Sequence, residues 1–278
     1  KVTGAGSDMK VEGGGDLWMN TSATVSKAYQ QSNGNTYFIS KPIQTPLNST
    51  YKTLSENENF KEFFNLLSGF PVKTKTVTPT GPIIFNSVKG MDFNINFFNT
   101  FNYTIYVPTN TAIQEAIAAK KFTPWISQGG IVGINDMTDA ILKAAEIAKL
   151  ERFLRYHFQD NSVFVDGKSI SNQDYQSATI KTDDGVSLFG TYKTKYFKLR
   201  VTVSGTNLTL NTENGGSAKV VDDPKLYNIM VRDYIFNFKP SEFKELDGTS
   251  VGTAFESSRI ETSSTAVIHQ IDNVLSFQ

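Results

Sequence analysis

Apolar residues along this chain follow two periods, and the places where the period changes mark the elements. In the first 47 residues they come in short runs. Met9 and Val11 alternate with polar neighbours, and Ala23–Tyr29 and Asn35–Ile39 follow as further β runs. A period of two is that of a strand with one face turned inward. Gly13–Gly15 breaks the first run, Ser32-Asn33-Gly34 supplies a tight turn, and Pro42 and Pro46 end the stretch.

The period then becomes helical. Phe60, Phe63, Phe64 and Leu67 sit at i, i+3, i+4 and i+7, which lays one aromatic stripe against a core. Ser55-Glu56-Asn57-Glu58 fits a capping box at the start of that helix, and Gly69 and Pro71 close it. Residues 71–100 read as irregular or hairpin-like, with short strands predicted over Ile83–Val88 and Phe93–Phe98. Tyr103–Val107 is a β run stopped by Pro108, and Thr109-Asn110-Thr111 caps a helix with Ile113, Ala116 and Ile117 on its apolar face.

A longer helix is predicted from about Thr138 to Tyr156. Ile141, Ala144, Ala145 and Ala148 form one side, and Leu150, Phe153, Leu154 and His157 continue the stripe. Strands return after Ser162, over Val163–Val165, Thr179–Lys181, Val186–Phe189, Phe197–Val203, Leu208–Leu210, Tyr227–Phe238 and Ala266–Leu275. The mixture predicts an α+β fold.

Composition narrows the function classes. The 278 residues carry 27 basic and 27 acidic side chains, 39% hydrophobic residues and no cysteine. A balanced charge gives no basic face for nucleic acid. The lack of cysteine excludes disulfide scaffolds, thiolate metal sites and cysteine nucleophiles within the chain. No apolar run reaches the roughly 18 residues of a membrane-spanning helix.

Four segments, in order, resemble the fasciclin family: TLSENENFKEFFNLL (Thr53–Leu67), YTIYVPTNTAI (Tyr103–Ile113), RYHF (Arg155–Phe158) and AVIHQIDNVL (Ala266–Leu275). The resemblance covers residues 48 to 277. It implies a fasciclin-like twisted β-sandwich with helices packed at one end, and a non-enzymatic adhesion or interaction module without cofactor or metal. It implies Pro108, Thr109, His157, His269 and Asp272 as family motif positions. TSSTAVIHQID further resembles tandem-domain lipoproteins of Gram-negative envelopes, which implies secretion or a cell-surface place, and an anchor through an upstream lipid. The implied partner is a protein or glycan at a cell surface.

The chain also resembles itself. VTGAGSDMKV (Val2–Val11) parallels VTVSGTNLTL (Val201–Leu210), and SNGNTYFISKPI (Ser32–Ile43) parallels STAVIHQIDNVL (Ser264–Leu275), with Tyr37 and Ser40 in place of His269 and Asp272. Residues 1–47 are therefore expected to be the last third of a preceding unit. Residues 48–278 are expected to be a complete one, with insertions near 71–100 and 232–258 as candidate contact surfaces. The alternative is that the first strands pair with the following domain.

Three residues are candidates for binding. Trp125, between Pro124 and a glycine pair, stacks on a sugar or fills a partner pocket if exposed, and plugs the core if not. Tyr156 and His157 are expected either to bind a partner or to support a helix end. His269 and Asp272, three apart on a strand, point to opposite faces and do not assemble a catalytic pair without a bulge. Nothing selects a Ser-His-Asp triad, a calcium loop or a phosphate loop, and Gly13–Gly15 is not expected to lead into a helix.

Overall fold

The computed structural model describes residues 2–5, 8–18, 21–69, 85–86, 94–95, 102–184, 193–237 and 259–276. The architecture is α+β, as the mixed periods predict. The first strands, β1 (Val2–Thr3), β2 (Lys10–Val11), β3 (Ala23–Gln31) and β4 (Gly34–Ile39), make one antiparallel sheet in chain order. A five-residue helix, α1 (Gly14–Trp18), interrupts them. Helices α2 (Thr50–Glu56) and α3 (Lys61–Ser68) follow. Two residues each of β5 (Phe85–Asn86) and β6 (Asn94–Ile95) pair with one another.

The main sheet comprises β7 (Asn102–Pro108), β8 (Phe158–Asp160), β9 (Ile170–Asp184), β10 (Lys193–Ser204), β11 (Asn207–Thr212), β12 (Ser217–Lys219), β13 (Ile229–Asn237) and β14 (Arg259–Ile271). Its order is β12-β11-β10-β9-β8-β7-β14-β13. Every neighbour is antiparallel except β14 and β7, which run parallel from Thr265↔Asn102 to Ile271↔Pro108. Parallel strands need a long crossover. Here it comprises α4 (Asn110–Ala118), α5 (Ala140–Arg155) and the rest of the sheet.

The sheet curls back on itself until the chain past β12 reaches β14. Just past β12, Val220 bridges Ile271, and the Val221 amide donates to Gln270. The curl closes over one core of Tyr106, Tyr156, Leu199, Val201, Leu208, Leu210, Ile271 and Leu275. A second core lies between the sheet and the helices. It holds Phe60, Phe63, Phe64, Ile105, Ile113, Phe122, Phe153, Phe158 and Ile268. Each fully buried aromatic or branched side chain contributes roughly 1.5–3 kcal/mol of transfer free energy.

Several expectations move. Ser55 is not a cap: it lies inside α2 and donates to the Lys52 carbonyl. Ser49 caps α2 by accepting from the Lys52 amide, and Asn57 caps the 3-10 turn that precedes α3. Gly69 ends α3 in the left-handed conformation at φ 75°, as expected. Val163–Val165 is buried but irregular, because the strand after α5 is formed earlier, at Phe158–Asp160. Residues 232–237 belong to β13, paired along 259–265, rather than to an insertion. Val186–Phe189, residues 238–258 and most of residues 71–100 lie outside the described residues.

Gly13–Gly15 does lead into a helix, the short α1. The reason is close packing. A Cβ on Gly13 would lie 2.0 Å from the Gln44 carbonyl oxygen, and one on Gly14 would lie 2.9 Å from Met230 Cβ. So α1 seats the first sheet against β13, while no described strand of that sheet pairs with the main one. Buried Asp16 ties α1 to the segment that follows β4. Its carboxylate accepts from Lys41 Nζ at 2.8 Å, the Gln44 amide at 2.9 Å and the Gly13 amide at 3.0 Å. The Lys41 bond and then the two amides hold its pKa far below the usual carboxylate range.

Candidate interaction surface

The motif segments, distant in sequence, meet around the β7–β14 pair. The Tyr106 amide in β7 donates to the His157 carbonyl at 2.9 Å. His157 is fully buried at the end of α5. Its Nδ1 lies 3.0 Å from the Phe153 carbonyl, and its Nε2 accepts from the Leu275 amide at 3.0 Å. A carbonyl requires a donor and an amide requires an acceptor, so His157 is neutral with its proton on Nδ1. Burial lowers its pKa to about 4 against the Phe153 bond, which raises it.

His269 is used in the same way with the opposite tautomer. Its Nε2 donates to the Val163 carbonyl at 2.9 Å, and its Nδ1 faces the Asn228 amide at 3.4 Å. Burial takes its pKa to about 4 as well. Asp272 is exposed and accepts from the Lys219 amide at 2.7 Å. His269 and Asp272 therefore serve different partners. Thr109 caps α4 by accepting from the Ala112 amide, and its own amide donates to the Ile271 carbonyl at 2.9 Å. Pro108, with no amide hydrogen, ends β7 opposite Ile271.

Two candidate binding residues are also turned inward. Tyr156 is buried, and its hydroxyl donates to the Lys198 carbonyl at 2.9 Å. Burial raises its pKa to about 12. Trp125 is 4% exposed and donates through Nε1 to the Leu66 carbonyl at 2.8 Å. A ring in that position plugs the core and offers no face to a sugar. Its neighbour Ile126 carries the exposure instead.

The exposed apolar side chains point to a different place. Residues 126–132 form a small flap, closed by Gln128 and Ile131 pairing through both amides at 3.1 and 2.9 Å. Gly129 and Gly130 turn it with φ 57° and 79°, values that favour glycine. The flap is fixed from inside. Ser127 Oγ accepts from the Gly133 amide at 2.8 Å and donates to Asp136. Ile126 (49% exposed) and Val132 (57%) stand on its surface.

The start of α5 carries further exposed apolar side chains. The stripe expected to bury Ile141 does not: Ile141 is 84% exposed and Leu142 51%, and Ala144, Ala145 and Ala148 are exposed too. Only the second half of α5 enters the core, with Ile147 half-buried against it and Leu150, Phe153 and Leu154 fully inside. Asp139 caps the free half by accepting from the Ile141 and Leu142 amides. Thr123 Oγ1 donates to Glu146 at 2.6 Å and Lys143 Nζ to the Asn135 carbonyl at 3.4 Å, tying the helix to the segments flanking the flap. The sequence carried a signal for this: the stripe of alanines is weakly apolar, and Asp139 and Lys143 flank its start.

A charged depression on the outer face of β9–β11 is self-neutralised. Arg200 pairs with Asp174 at 2.8 Å, and Glu213 takes Lys181 and the Lys198 amide. Among the described residues, no group of three or more His, Asp or Glu is placed to hold a metal ion, and no helix is long and apolar enough to cross a membrane.

No family model matches this chain, and no curated protein matches it. Among solved structures it is similar to a FAS1 domain pair from the insect cell adhesion molecule fasciclin I. The identity is 14% and the TM-score 0.34, over 99% of this chain and 66% of that one. The chain thus spans just under two thirds of that structure's length.

Proposed function

We propose that the chain is a fasciclin-type, non-catalytic interaction module that holds a protein partner at a cell surface. The observation that carries this reading is the exposure of Ile126 and Val132 on the flap and of Ile141 and Leu142 at the start of α5, each pair on a backbone fixed by side-chain hydrogen bonds. Exposed apolar side chains presented on a hydrogen-bonded scaffold lose little freedom on docking, which favours binding there. The family motifs support it from the other side. Both histidines and Tyr156 spend their polar atoms on backbone partners within the fold. Cell-surface location, a Gram-negative outer envelope and an upstream lipid anchor belong to the same proposal and rest on the sequence resemblance. So does weak binding multiplied by tandem modules.

The test is a screen of bead-clustered protein against matrix proteins and a glycan array, repeated with Ile141→Asp and Val132→Asp. Both positions are exposed, so these variants keep the fold. Protein binding that falls at least about tenfold in both variants fits the loss of a buried apolar anchor. Protein binding untouched by either variant overturns the proposed surface. Glycan binding in place of protein binding overturns the partner class.

A further inference from the structure

The first sheet repeats the closing third of the main sheet pair by pair. Val2↔Val11 and Thr3↔Lys10 correspond to Val201↔Leu210 and Thr202↔Thr209. Val11↔Ala23 and Lys10↔Thr24 correspond to Leu210↔Ala218 and Thr209↔Lys219. Val25↔Ile39 corresponds to the Val220↔Ile271 bridge, and Tyr29↔Thr36 to Ile229↔Ile268. Side-chain bonding is repeated too. Ser40 Oγ accepts from the Thr24 amide at 3.0 Å, as Asp272 accepts from the Lys219 amide at 2.7 Å. The return bonds, Ser40 amide to Thr24 carbonyl and Asp272 amide to Lys219 carbonyl, are both 2.9 Å.

The equivalence stops at one edge. β14 holds β7 in parallel on the side away from β13. β4, its counterpart, has no described strand on its far side. The exposures reverse accordingly. His269, Gln270 and Leu275 are 0, 4 and 0% exposed, whereas their counterparts Tyr37, Phe38 and Ile43 are 42, 55 and 48% exposed. Tyr29 and Phe38 meet edge to face in the open, with Lys27 over the Tyr29 ring.

We infer that the free edge of β4 is the seat of an extended strand of the β7 type. It runs parallel to β4, covers Tyr37, Phe38 and Ile43, and is carried by a body amino-terminal to Val2 on the same polypeptide. In the second unit, the body that supplies β7 precedes Val201 on the same chain. A second copy of this chain is a poor donor. Its β7 is already hydrogen-bonded on both sides, to β8 and β14, and is buried from Tyr103 onward. Lending it would open the main core. This inference rests on internal geometry and stands apart from the partner-binding reading above.

Hydrogen exchange read by mass spectrometry tests it, on the 278-residue chain and on the polypeptide extended to its natural amino terminus. Those amides of residues 34–39 that point away from β3 should exchange nearly freely in the shorter form and at least about 100-fold more slowly in the extended one, as expected for amides moved from an open edge into a paired ladder. Protection of residues 102–108, equal in both, shows that the main unit is folded. In the extended form, Tyr37→Glu should return those outward amides to fast exchange. Equal exchange in the two forms overturns the inference, as does a reading frame with no preceding body. Protection of the same amides in the shorter form that grows with its concentration also overturns it, by placing a second copy on that edge.

Discussion

The two histidines make the behaviour of single residues testable, because the chain has no others. Each is neutral and buried, with a pKa near 4 in place of 6.5. The unfolded chain therefore binds protons between pH 6.5 and 4 that the folded chain does not. Stability is full above pH 6.5 and falls as pH drops through that window. From pH 7 to pH 5 the loss is about 2 kcal/mol per histidine, or about 4 kcal/mol for the pair. That is a large share of the 5–15 kcal/mol of an ordinary domain. Asp16, with its pKa depressed, adds a loss only further into acid, as pH falls below about 4. Urea midpoints at pH 7, 6 and 5 check this. A flat profile, or imidazole proton resonances that titrate near 6.5, would contradict the buried neutral tautomers. The sequence placed His157 on an apolar stripe and separated His269 from Asp272, and both placements hold. It did not foretell that Ile141, on that same stripe, stays in solvent.

Elements show where short patterns mislead and where they inform. Ser49 and Ser55 each precede a helical run, and the Ser-x-x-Glu spelling favoured Ser55. The backbone decides otherwise, because Ser55 sits within a helix that Thr50 has already begun. Thr50 is drawn in by contacts no local pattern contains. Its amide and hydroxyl donate to the buried Asp233 carboxylate at 2.9 and 2.7 Å, from 183 residues along the chain. Tyr103 joins them at 3.2 Å through its hydroxyl. Ser49→Ala should therefore cost about 1 kcal/mol, the usual value of an N-cap, and Ser55→Ala less than about 0.5 kcal/mol. Chemical denaturation of the two variants distinguishes them, and equal losses would restore the sequence reading. By contrast, the Thr109 cap stands where the sequence put it, while the parallel pairing that ends at Pro108 and Ile271 was not foreseen. Proline-threonine chemistry is local, and a strand–helix junction needs little else.

At the scale of the whole molecule, the internal repeat was legible because it is written twice in sequence. That β4 has no described strand on its far side was legible only in the strand order. The first sheet buries few apolar side chains, Ala23 and Val25 among them, while the main unit has two cores. Its attachment rests on α1 against β13 and on Asp16 gathering Lys41, Gly13 and Gln44. Attachment and main fold are then separable. Asp16→Asn removes the charge that pairs Lys41 while keeping the shape, leaving an amide whose donor group faces other donors. Limited proteolysis should cut within residues 21–47 much faster in this variant than in the parent. The main thermal transition, which reports the two cores, should stay where it is, since sub-global opening draws on local contacts and not on the whole. A main transition that falls together with the proteolytic protection would mean that the first sheet and the main sheet unfold as one cooperative body. The free β4 edge would then be part of a single domain's surface, with no separate unit to complete.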